Sequence, residues 1–258
     1  MKNKLKKVLT YMLILFSITL LTGCFPTVNN GDEEIVILYE NDVHCVVEGY
    51  SKLSAMKKEL QESYEHVGVV SGGDYVQGSS LGVISRGEYI INLMNLVGYD
   101  AVTLGNHEFD YRLERLEELI DMMDTKPICC NFSEINKEES YFKPYSMVSY
   151  GDIDIAYIGI TTPSTIASSS PTQFRDENGE LLYTFNSTTL YDIVQSNIDS
   201  AKQAGAEYVI ALSHIGYADD AEFGDLEDVE TLIRNTKGFD VVLDAHSHSV
   251  IEEKLIKD

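Results

Sequence analysis

The sequence predicts an α/β fold, in which helices cover a largely parallel sheet that is built in two halves. Short apolar runs alternate with amphipathic segments up to Pro127, in the order βαβαβα, which is typical of parallel sheets. In the middle of the chain, two apolar runs are separated only by Gly151 and Asp152, which is a hairpin signal. The alternation then returns, so one α/β domain with a hairpin region between its halves accounts for most of the 258 residues.

The first half contains three predicted strands and three predicted helices. β-Branched and apolar residues fill the strand runs, whereas the helices have leucine, isoleucine or methionine at intervals of three or four positions. The predicted strands are residues 35–39, 67–70 and 101–104, and the predicted helices are residues 51–64, 86–96 and 113–120.

The second half begins with the two hairpin strands, at residues 145–150 and 153–160. Serine-rich and polar stretches predict loops at residues 164–171 and 173–179, and apolar residues at helical spacing predict a helix around Val194. The remaining predictions are strands at 208–212 and 239–243, a solvated acidic loop running into a helix at 219–230, and the start of a further strand at 250–256.

The N-terminus has the pattern of a secretion signal. A segment with four lysines precedes an apolar run at residues 8–21, which is shorter than the roughly 20 residues of a transmembrane helix. The following Leu-Thr-Gly-Cys resembles a bacterial lipobox, so we expect residues 1–23 to be a lipoprotein signal peptide and Cys24 to be lipidated. An ordinary signal peptide or an uncleaved anchor is the alternative. Residues 24–34 are predicted to be a flexible tether, residues 35–258 the folded domain, and the cell membrane's extracytoplasmic face the location.

The charge balance argues against one class of partner. The formal net charge is −23, and removal of the four signal-peptide lysines leaves 15 basic against 42 acidic residues, or −27. A chain this acidic is not expected to bind nucleic-acid polymers through a basic surface. Bound metal ions would still allow it to bind a small anion, because they reverse the local field.

The cysteines do not form a disulfide pattern. Besides Cys24, only Cys45, Cys129 and Cys130 are present, and an odd number with one adjacent pair is no disulfide framework. Cys129 and Cys130 are predicted to lie in a strand after Pro127 as small apolar residues. Cys45 follows a histidine and is a possible soft metal ligand, but we expect it to be a bystander.

Polar residues directly follow most of the predicted strands. Five of the six histidines lie in these fragments, and only His66 does not. Burying such groups without partners costs about 1–3 kcal/mol each, so we expect them to bind one another or a ligand. In open α/β sheets, ligands bind at these strand ends. The candidate metal ligands are Asp42, His44, Asp74, Asn106, His214, His246 and His248.

This ligand set indicates two metal ions. Seven nitrogen and oxygen ligands are too many for one tetrahedral ion, and they suit two divalent ions that share a bridging group. Asp74 is the natural bridge because a carboxylate has two oxygens, and Asn106 adds a neutral oxygen. Two ions about 3.5–4 Å apart stabilise the attacking and phosphoryl oxygens of a displacement at phosphorus. Zinc, manganese, iron and cobalt all fit these ligands, so the metal stays open.

His107 and Asp110 are predicted to form a catalytic pair. They lie three positions apart in one loop, where the carboxylate can orient the imidazole as aspartate does in hydrolase triads. The imidazole would then stabilise charge on the phosphoryl group or protonate the leaving oxygen. A lone Asp-x-His or Gly-Asp motif is more often structural, and Asn106-His107 alone is as often structural as functional, but the whole set at strand ends favours a functional site.

Five fragments, in this order and spacing, resemble the calcineurin-like metallophosphoesterases, and especially their bacterial 5′-nucleotidase/UDP-sugar hydrolase branch. The fragments are NDVH, GGDYVQG, LGNHEFDY, SHIGY and AHSH, and the similarity extends from about Ile35 to Val250. The resemblance implies a four-layer α/β/β/α sandwich. It also implies a first metal site of Asp42, His44, Asp74 and His248, a second of Asp74, Asn106, His214 and His246, and a catalytic dyad of His107 and Asp110.

The sequence departs from this family pattern in three places. Cys45 stands where the family usually has glycine, and Ala245 stands where glycine usually precedes the final His-x-His. Alanine matters at that position only if the backbone needs a positive φ. The family also continues with further strands and a second domain that binds the nucleoside, so we expect residues 35–258 to be a catalytic domain that is incomplete at its C-terminus and lacks the last strands.

The expected function is two-metal-ion hydrolysis of phosphate esters at the cell surface, with 5′-nucleotides or related nucleotide phosphates as substrates. One alternative is a truncated lipoprotein that binds metal or substrate without turnover. Another is a related hydrolase of 2′,3′-cyclic nucleotides or UDP-sugars that uses the same site. The expected partners are the small-molecule substrate and, through the lipid, the membrane.

Overall fold

A computed structural model describes residues 34–217 and 228–256. The predicted signal peptide, Cys24, the tether up to residue 33 and most of the acidic stretch at 219–230 lie outside the described residues. Within the described part, no helix combines the length and the apolar character that crossing a membrane requires.

The first sheet is parallel, and its three strands follow the chain order. Strand β1 (Ile35–Glu40) pairs with β2 (His66–Ser71), which pairs with β3 (Ala101–Val102). The predicted strands are confirmed, although β3 is shorter than residues 101–104. The helices between and after them are α1 (Val47–Leu60), α2 (Ser80–Ser85), α3 (Glu88–Val97) and α4 (Leu113–Met122).

Two differences from the predicted helices have local causes. Helix α1 begins four residues before the predicted start, because Tyr50 is a buried member of the core on the same face as the predicted apolar positions. Helix α2 was not predicted, since its six residues contain two serines and a glycine and leave Ile84 80% exposed. Its Gly82 packs directly against the Cys45 side chain, where an added Cβ would clash.

The second sheet is mixed and has four strands among the described residues. The predicted hairpin is present: β5 (Tyr145–Tyr150) and β6 (Ile153–Thr161) pair antiparallel. Strand β6 also pairs in parallel with β8 (Tyr208–His214), which pairs in parallel with β9 (Val241–Leu243). A small separate sheet joins β4 (Ser133–Glu134) to β7 (Tyr183–Thr184). The remaining helices are α5 (Thr165–Ser168), α6 (Leu190–Gln203) and α7 (Val229–Asn235).

The two main sheets pack face to face, with helices on the outside. The layer between them contains side chains from both sheets, including Val70 and Ala101 from the first and Tyr157 and Leu212 from the second. Helices α1 and α3 cover the outer face of the first sheet, and α6 and α7 cover that of the second. The layers are therefore α/β/β/α, and the predicted fold class is confirmed.

Three local predictions were wrong. Residues 250–256 form no strand, and residues 164–171 are not a plain loop, because they contain α5. Cys129 and Cys130 follow Ile128, which forms isolated bridges to Thr103 and Lys143, and they do not continue these bridges as a strand. The reason is that the next residue, Asn131, binds the backbone of Thr161 and Phe185 through its side chain and turns the chain inward. All three cysteines in the described residues are buried and free.

Phe132 lies at the centre of a buried aromatic cluster beneath the loop that carries His107. Its ring lies 4.7 Å from that of Phe185 and 5.2 Å from that of Phe109, between centroids, and further rings surround it. We expect Phe132→Ala to lower the free energy of unfolding by about 3–5 kcal/mol, because it leaves a cavity among large side chains. Urea denaturation would measure this change. Tyr89→Ala, which truncates an exposed aromatic, is the control, and an unchanged midpoint for Phe132→Ala would contradict the prediction.

Candidate metal centre

The two parallel parts of the sandwich direct their strand ends to one edge, and the predicted site residues meet there. Asp42 and His44 follow β1, and Asp74 follows β2. The third loop, after β3, carries Asn106, His107 and Asp110. His214 ends β8, and His246 and His248 follow β9.

The first group of ligands consists of Asp42, His44 and His248, whose ligand atoms all lie within 4.8 Å of one another. His44 Nε2 lies 3.2 Å from His248 Nε2, and His248 Nε2 lies 3.5 Å from Asp42 Oδ1. Such close approach of two imidazole nitrogens to each other and to a carboxylate is the geometry of a shared cation site.

The second group consists of Asp74, His214 and His246, within the same limit of 4.8 Å. The Oδ2 atom of Asp74 lies 3.1 Å from His214 Nε2 and 3.9 Å from His44 Nε2. Asp74 therefore contacts both groups, as the bridging ligand of the sequence prediction requires.

Hydrogen bonds at the far side of two rings determine which nitrogen faces the site. His214 Nδ1 lies 2.7 Å from the carbonyl oxygen of Gly72, and His44 Nδ1 lies 3.2 Å from that of Gln77. A carbonyl only accepts, so each Nδ1 donates, and in the neutral ring Nε2 presents its lone pair to the site. Ligating histidines are commonly oriented this way.

The polar atoms at the centre fit divalent cations. Asn106 is 3% exposed, and its Oδ1 is buried with no hydrogen-bond donor among the described residues. In the neutral tautomer, the Nε2 lone pair of His214 faces the Asp74 carboxylate, and two such acceptors repel each other unless a proton or a cation lies between them. Nitrogen and oxygen acceptors without donors are the ligand chemistry of zinc, manganese, iron and cobalt.

The pKa values express the same electrostatic coupling. Burial opposes protonation of His214, but Asp74 outweighs burial and raises the pKa of His214 to about 10. Burial would raise the pKa of Asp74, whereas His214 holds it well below its usual range. Burial and the adjacent His214 lower the pKa of His246 to about 4. The buried carboxylate therefore requires a positive charge beside it.

His107 and Asp110 form the predicted pair in a short 3₁₀ turn (His107–Phe109). His107 Nδ1 lies 2.6 Å from Asp110 Oδ2, and this bond raises the pKa of His107. The backbone N–H of His107 donates to Asp74 Oδ1 at 2.9 Å, and its ring lies 5.2 Å from that of His44. The pair is thus fixed beside the ligand groups.

The family model of the calcineurin-like phosphoesterases matches residues 35–250. The chain belongs to this family. It is 29% identical over 245 residues to the snake venom 5′-nucleotidase of Gloydius brevicauda, and the aligned region covers 86% of this chain and 38% of that protein. It is 28% identical over 232 residues to protein UshA of Yersinia enterocolitica, and the aligned region covers 84% of this chain and 41% of that protein.

A solved structure has the same fold. The calcineurin-like phosphoesterase YfkN from Bacillus subtilis superposes with a TM-score of 0.69 at 24% identity, over 85% of this chain and 74% of that one. By contrast, the chain spans only about two fifths of the length of the two sequence relatives named above.

The backbone of this site is strained at its candidate ligands. Five of the seven candidate ligands have a positive φ, which residues other than glycine rarely adopt. Cys45, at a position where the sequence comparison expected glycine, also has φ 62°, whereas Ala245 has no positive φ and its methyl group meets no such conflict. The five ligands are Asp42 (φ 50°), His44 (φ 45°), Asp74 (φ 59°), His246 (φ 80°) and His248 (φ 53°).

Two carboxylates that the sequence analysis missed bind the loops of this site. Glu108 is fully buried and accepts four backbone N–H groups, and burial with the nearby Asp74 raises its pKa to about 7. Asp244 accepts the N–H groups of Ile215 and Gly216, and burial raises its pKa to about 6. An acidic residue beside a ligand does not by itself reveal this role.

The turn that carries His107 also has support from a distant segment. Gln173 Nε2 donates to the carbonyl oxygen of Phe109 at 2.7 Å, and Ser170 Oγ donates to that of Asp110 at 3.0 Å. Both residues lie in the polar region that sequence reasoning assigned to loops. Only the three-dimensional contact identifies them.

Gly105 allows two loops of the site to approach each other. A Cβ on Gly105 would lie 2.2 Å from Asp74 Oδ1 and 2.6 Å from His214 Cε1. We therefore expect Gly105→Ala to displace both ligands and to weaken Mn²⁺ binding by at least ~10-fold, the scale of losses from misplaced supporting groups. Isothermal titration calorimetry would measure this affinity. Gly49→Ala in α1, where the Cβ would meet only Val43 at an ordinary 3.8 Å, is the control. Equal affinity in the Gly105→Ala protein would contradict the prediction.

Proposed function

We propose that this chain hydrolyses phosphate esters with two divalent metal ions, and that 5′-nucleotides or related nucleotide phosphates are its substrates. The observation that carries the proposal is the pair of ligand groups that meet at Asp74, with the His107–Asp110 pair beside them. Membership of the calcineurin-like phosphoesterase family supports the reaction class. The 5′-nucleotidase name of the Gloydius relative supports the substrate class.

The metal ions would be held in two adjoining sites. Bound there, they would supply Lewis acidity toward the phosphoryl oxygens and would lower the pKa of water. One site would consist of Asp42, His44, Asp74 and His248, and the other of Asp74, Asn106, His214 and His246.

The residues of the chain divide the remaining work. Asp110 binds His107 Nδ1, which orients the ring and favours its protonated form. The Nε2–H of His107 is then free of Asp110 and serves to stabilise charge on the phosphoryl group or to protonate the leaving oxygen. The His107 N–H bond to Asp74 fixes this donor relative to the bridging carboxylate.

The location is also part of the proposal. We infer from the lysine-rich start, the short apolar run and the Leu-Thr-Gly-Cys sequence that residues 1–23 are removed and Cys24 is lipidated. The folded domain would then be held outside the cytoplasmic membrane by the tether at residues 24–34, with access to extracytoplasmic phosphate esters.

Removal of His107 tests the mechanism. We expect the wild-type protein to hydrolyse p-nitrophenyl phosphate and AMP with Mn²⁺ or Zn²⁺, and His107→Ala to lower kcat by at least ~10²-fold, the scale of general acid–base help. Asp74→Ala should abolish metal binding and turnover together. His66→Ala, which removes the one histidine outside the site, is the control.

Metal binding without turnover by the wild type would instead support the non-catalytic alternative. Preferential cleavage of 2′,3′-cyclic AMP would support the cyclic-nucleotide alternative.

Removal of the Asp110 carboxylate tests the protonation state of His107. Because Asp110 raises the pKa of His107, Asp110→Asn should lower it, so the protonated ring is lost at a lower pH. The alkaline limb of the kcat profile should therefore move toward lower pH. Asp121→Asn, on the outer helix α4, should leave the profile unchanged. An alkaline limb that stays in place or moves upward would show that His107 does not act in its protonated form.

A further inference from the structure

Glu108 belongs to the catalytic turn, but its side chain lies in the interior of the protein. The side chain is fully buried, in contrast to its neighbour His107, which is 31% exposed. Its Oε2 accepts the backbone N–H groups of Asp74 at 2.8 Å and of Gly105 at 2.7 Å. Its Oε1 accepts those of Tyr75 at 2.8 Å and Val76 at 3.1 Å. All the acceptor positions of one carboxylate are thus directed at main-chain donors.

These donors belong to two different loops. Residues 72–76 follow β2 and carry Asp74, whereas residues 103–107 follow β3 and carry Asn106. In the described part of the chain, the last backbone hydrogen bond before the two loops diverge runs from Thr103 N to Ser71 O at 3.1 Å. Beyond that point, the sheet no longer determines the separation of the loops, and the Glu108 carboxylate bonds to both.

The same turn holds Asp74 from two directions. Glu108 accepts its backbone N–H, and the N–H of His107 donates to its Oδ1, which leaves Oδ2 directed at His214 and His44. Asp74 has φ 59° and lies beside Gly105, whose added Cβ would clash with it. The orientation of the bridging ligand therefore depends on groups outside the ligand set.

We propose that Glu108 is a positioning residue that sets the distance between the Asp74 and Asn106 loops and thereby sets the metal affinity of the site. The inference rests on the metal sites of the proposed function but not on turnover. A carboxylate is required, because four N–H groups need four acceptor positions, and an amide oxygen offers only two while its NH₂ group opposes the other donors.

The test is the metal affinity of Glu108→Gln in the full-length protein. We expect Mn²⁺ affinity, measured by isothermal titration calorimetry, to fall by about 10–100-fold, the range for groups that orient metal ligands. The Mn²⁺ concentration for half-maximal hydrolysis of p-nitrophenyl phosphate should rise by the same factor. At saturating Mn²⁺, KM should change by less than about threefold, because Glu108 acts through the metal ligands and does not contact the substrate.

A matched control separates positioning from general stability. Asp100 is another carboxylate that accepts a backbone N–H on β2, from Val69 at 2.7 Å, and among the described residues it has no hydrogen bond to a site loop. Asp100→Asn should lower the melting temperature in EDTA and leave Mn²⁺ affinity unchanged. A purely structural Glu108 would give this same pattern, with lower stability and wild-type affinity, and that result would overturn the proposal.

The conservative variant covers the case in which Glu108→Gln does not fold. Glu108→Asp keeps four acceptor positions but is one methylene shorter, so we expect an Mn²⁺ affinity between those of the wild type and Glu108→Gln. If only Glu108→Asp can be purified, a wild-type affinity in it would overturn the proposal, and a loss of about 10-fold would support it. A wild-type protein that binds Mn²⁺ without hydrolysing esters would overturn the proposed function alone, because this inference is measured by binding.

Discussion

The site depends on a single constraint: the buried charge of Asp74. Its carboxylate is 2% exposed, one oxygen accepts the His107 N–H, and the other faces two imidazoles. A buried charge without a counter-charge is strongly unfavourable, so the surrounding groups must supply a positive charge or admit one. Because the Nδ1 atoms of His44 and His214 are bound to carbonyls, their Nε2 atoms remain available for a cation at this carboxylate.

Backbone strain at the candidate ligands is maintained by hydrogen bonds between the loops that carry them. A non-glycine residue in the left-handed region costs of order 1–3 kcal/mol and persists only where its surroundings enforce it. Here the enforcing contacts are visible: the N–H of His44 donates to the Asp74 carbonyl, that of Asp42 to Gly73, and that of His246 to the Asp42 carboxylate. The strained residues thus hold one another, and the loops act as one unit.

The sequence allowed much of this arrangement to be predicted, because polar residues at the ends of apolar runs are a local signal and parallel strands bring such ends together. Asp42, His107 and His214 were predicted as site residues in this way. Glu108, Asp244 and Gln173 were not, since all of their backbone bonds named above, except that of Glu108 to Gly105, are to groups 28–64 positions away. The wrong strand at Cys129–Cys130 has a similar cause, because the distant partners of Asn131 override the local apolar pattern.

Under the proposed function, the charge of the region gives metal ions a role in binding an anionic substrate. In the described structure, the ion pairs of Asp42 and Asp74 are with histidines. The fully buried Glu108 and the Glu40 carboxylate, whose two oxygens are buried, add further acidic groups. Burial and neighbouring carboxylates raise the pKa of Glu40 to about 7, as they do for Glu108. Such a field repels a phosphate ester. Under the proposed function, divalent cations held among these residues would reverse this field locally, so we expect bound metal to promote the binding of an anionic substrate.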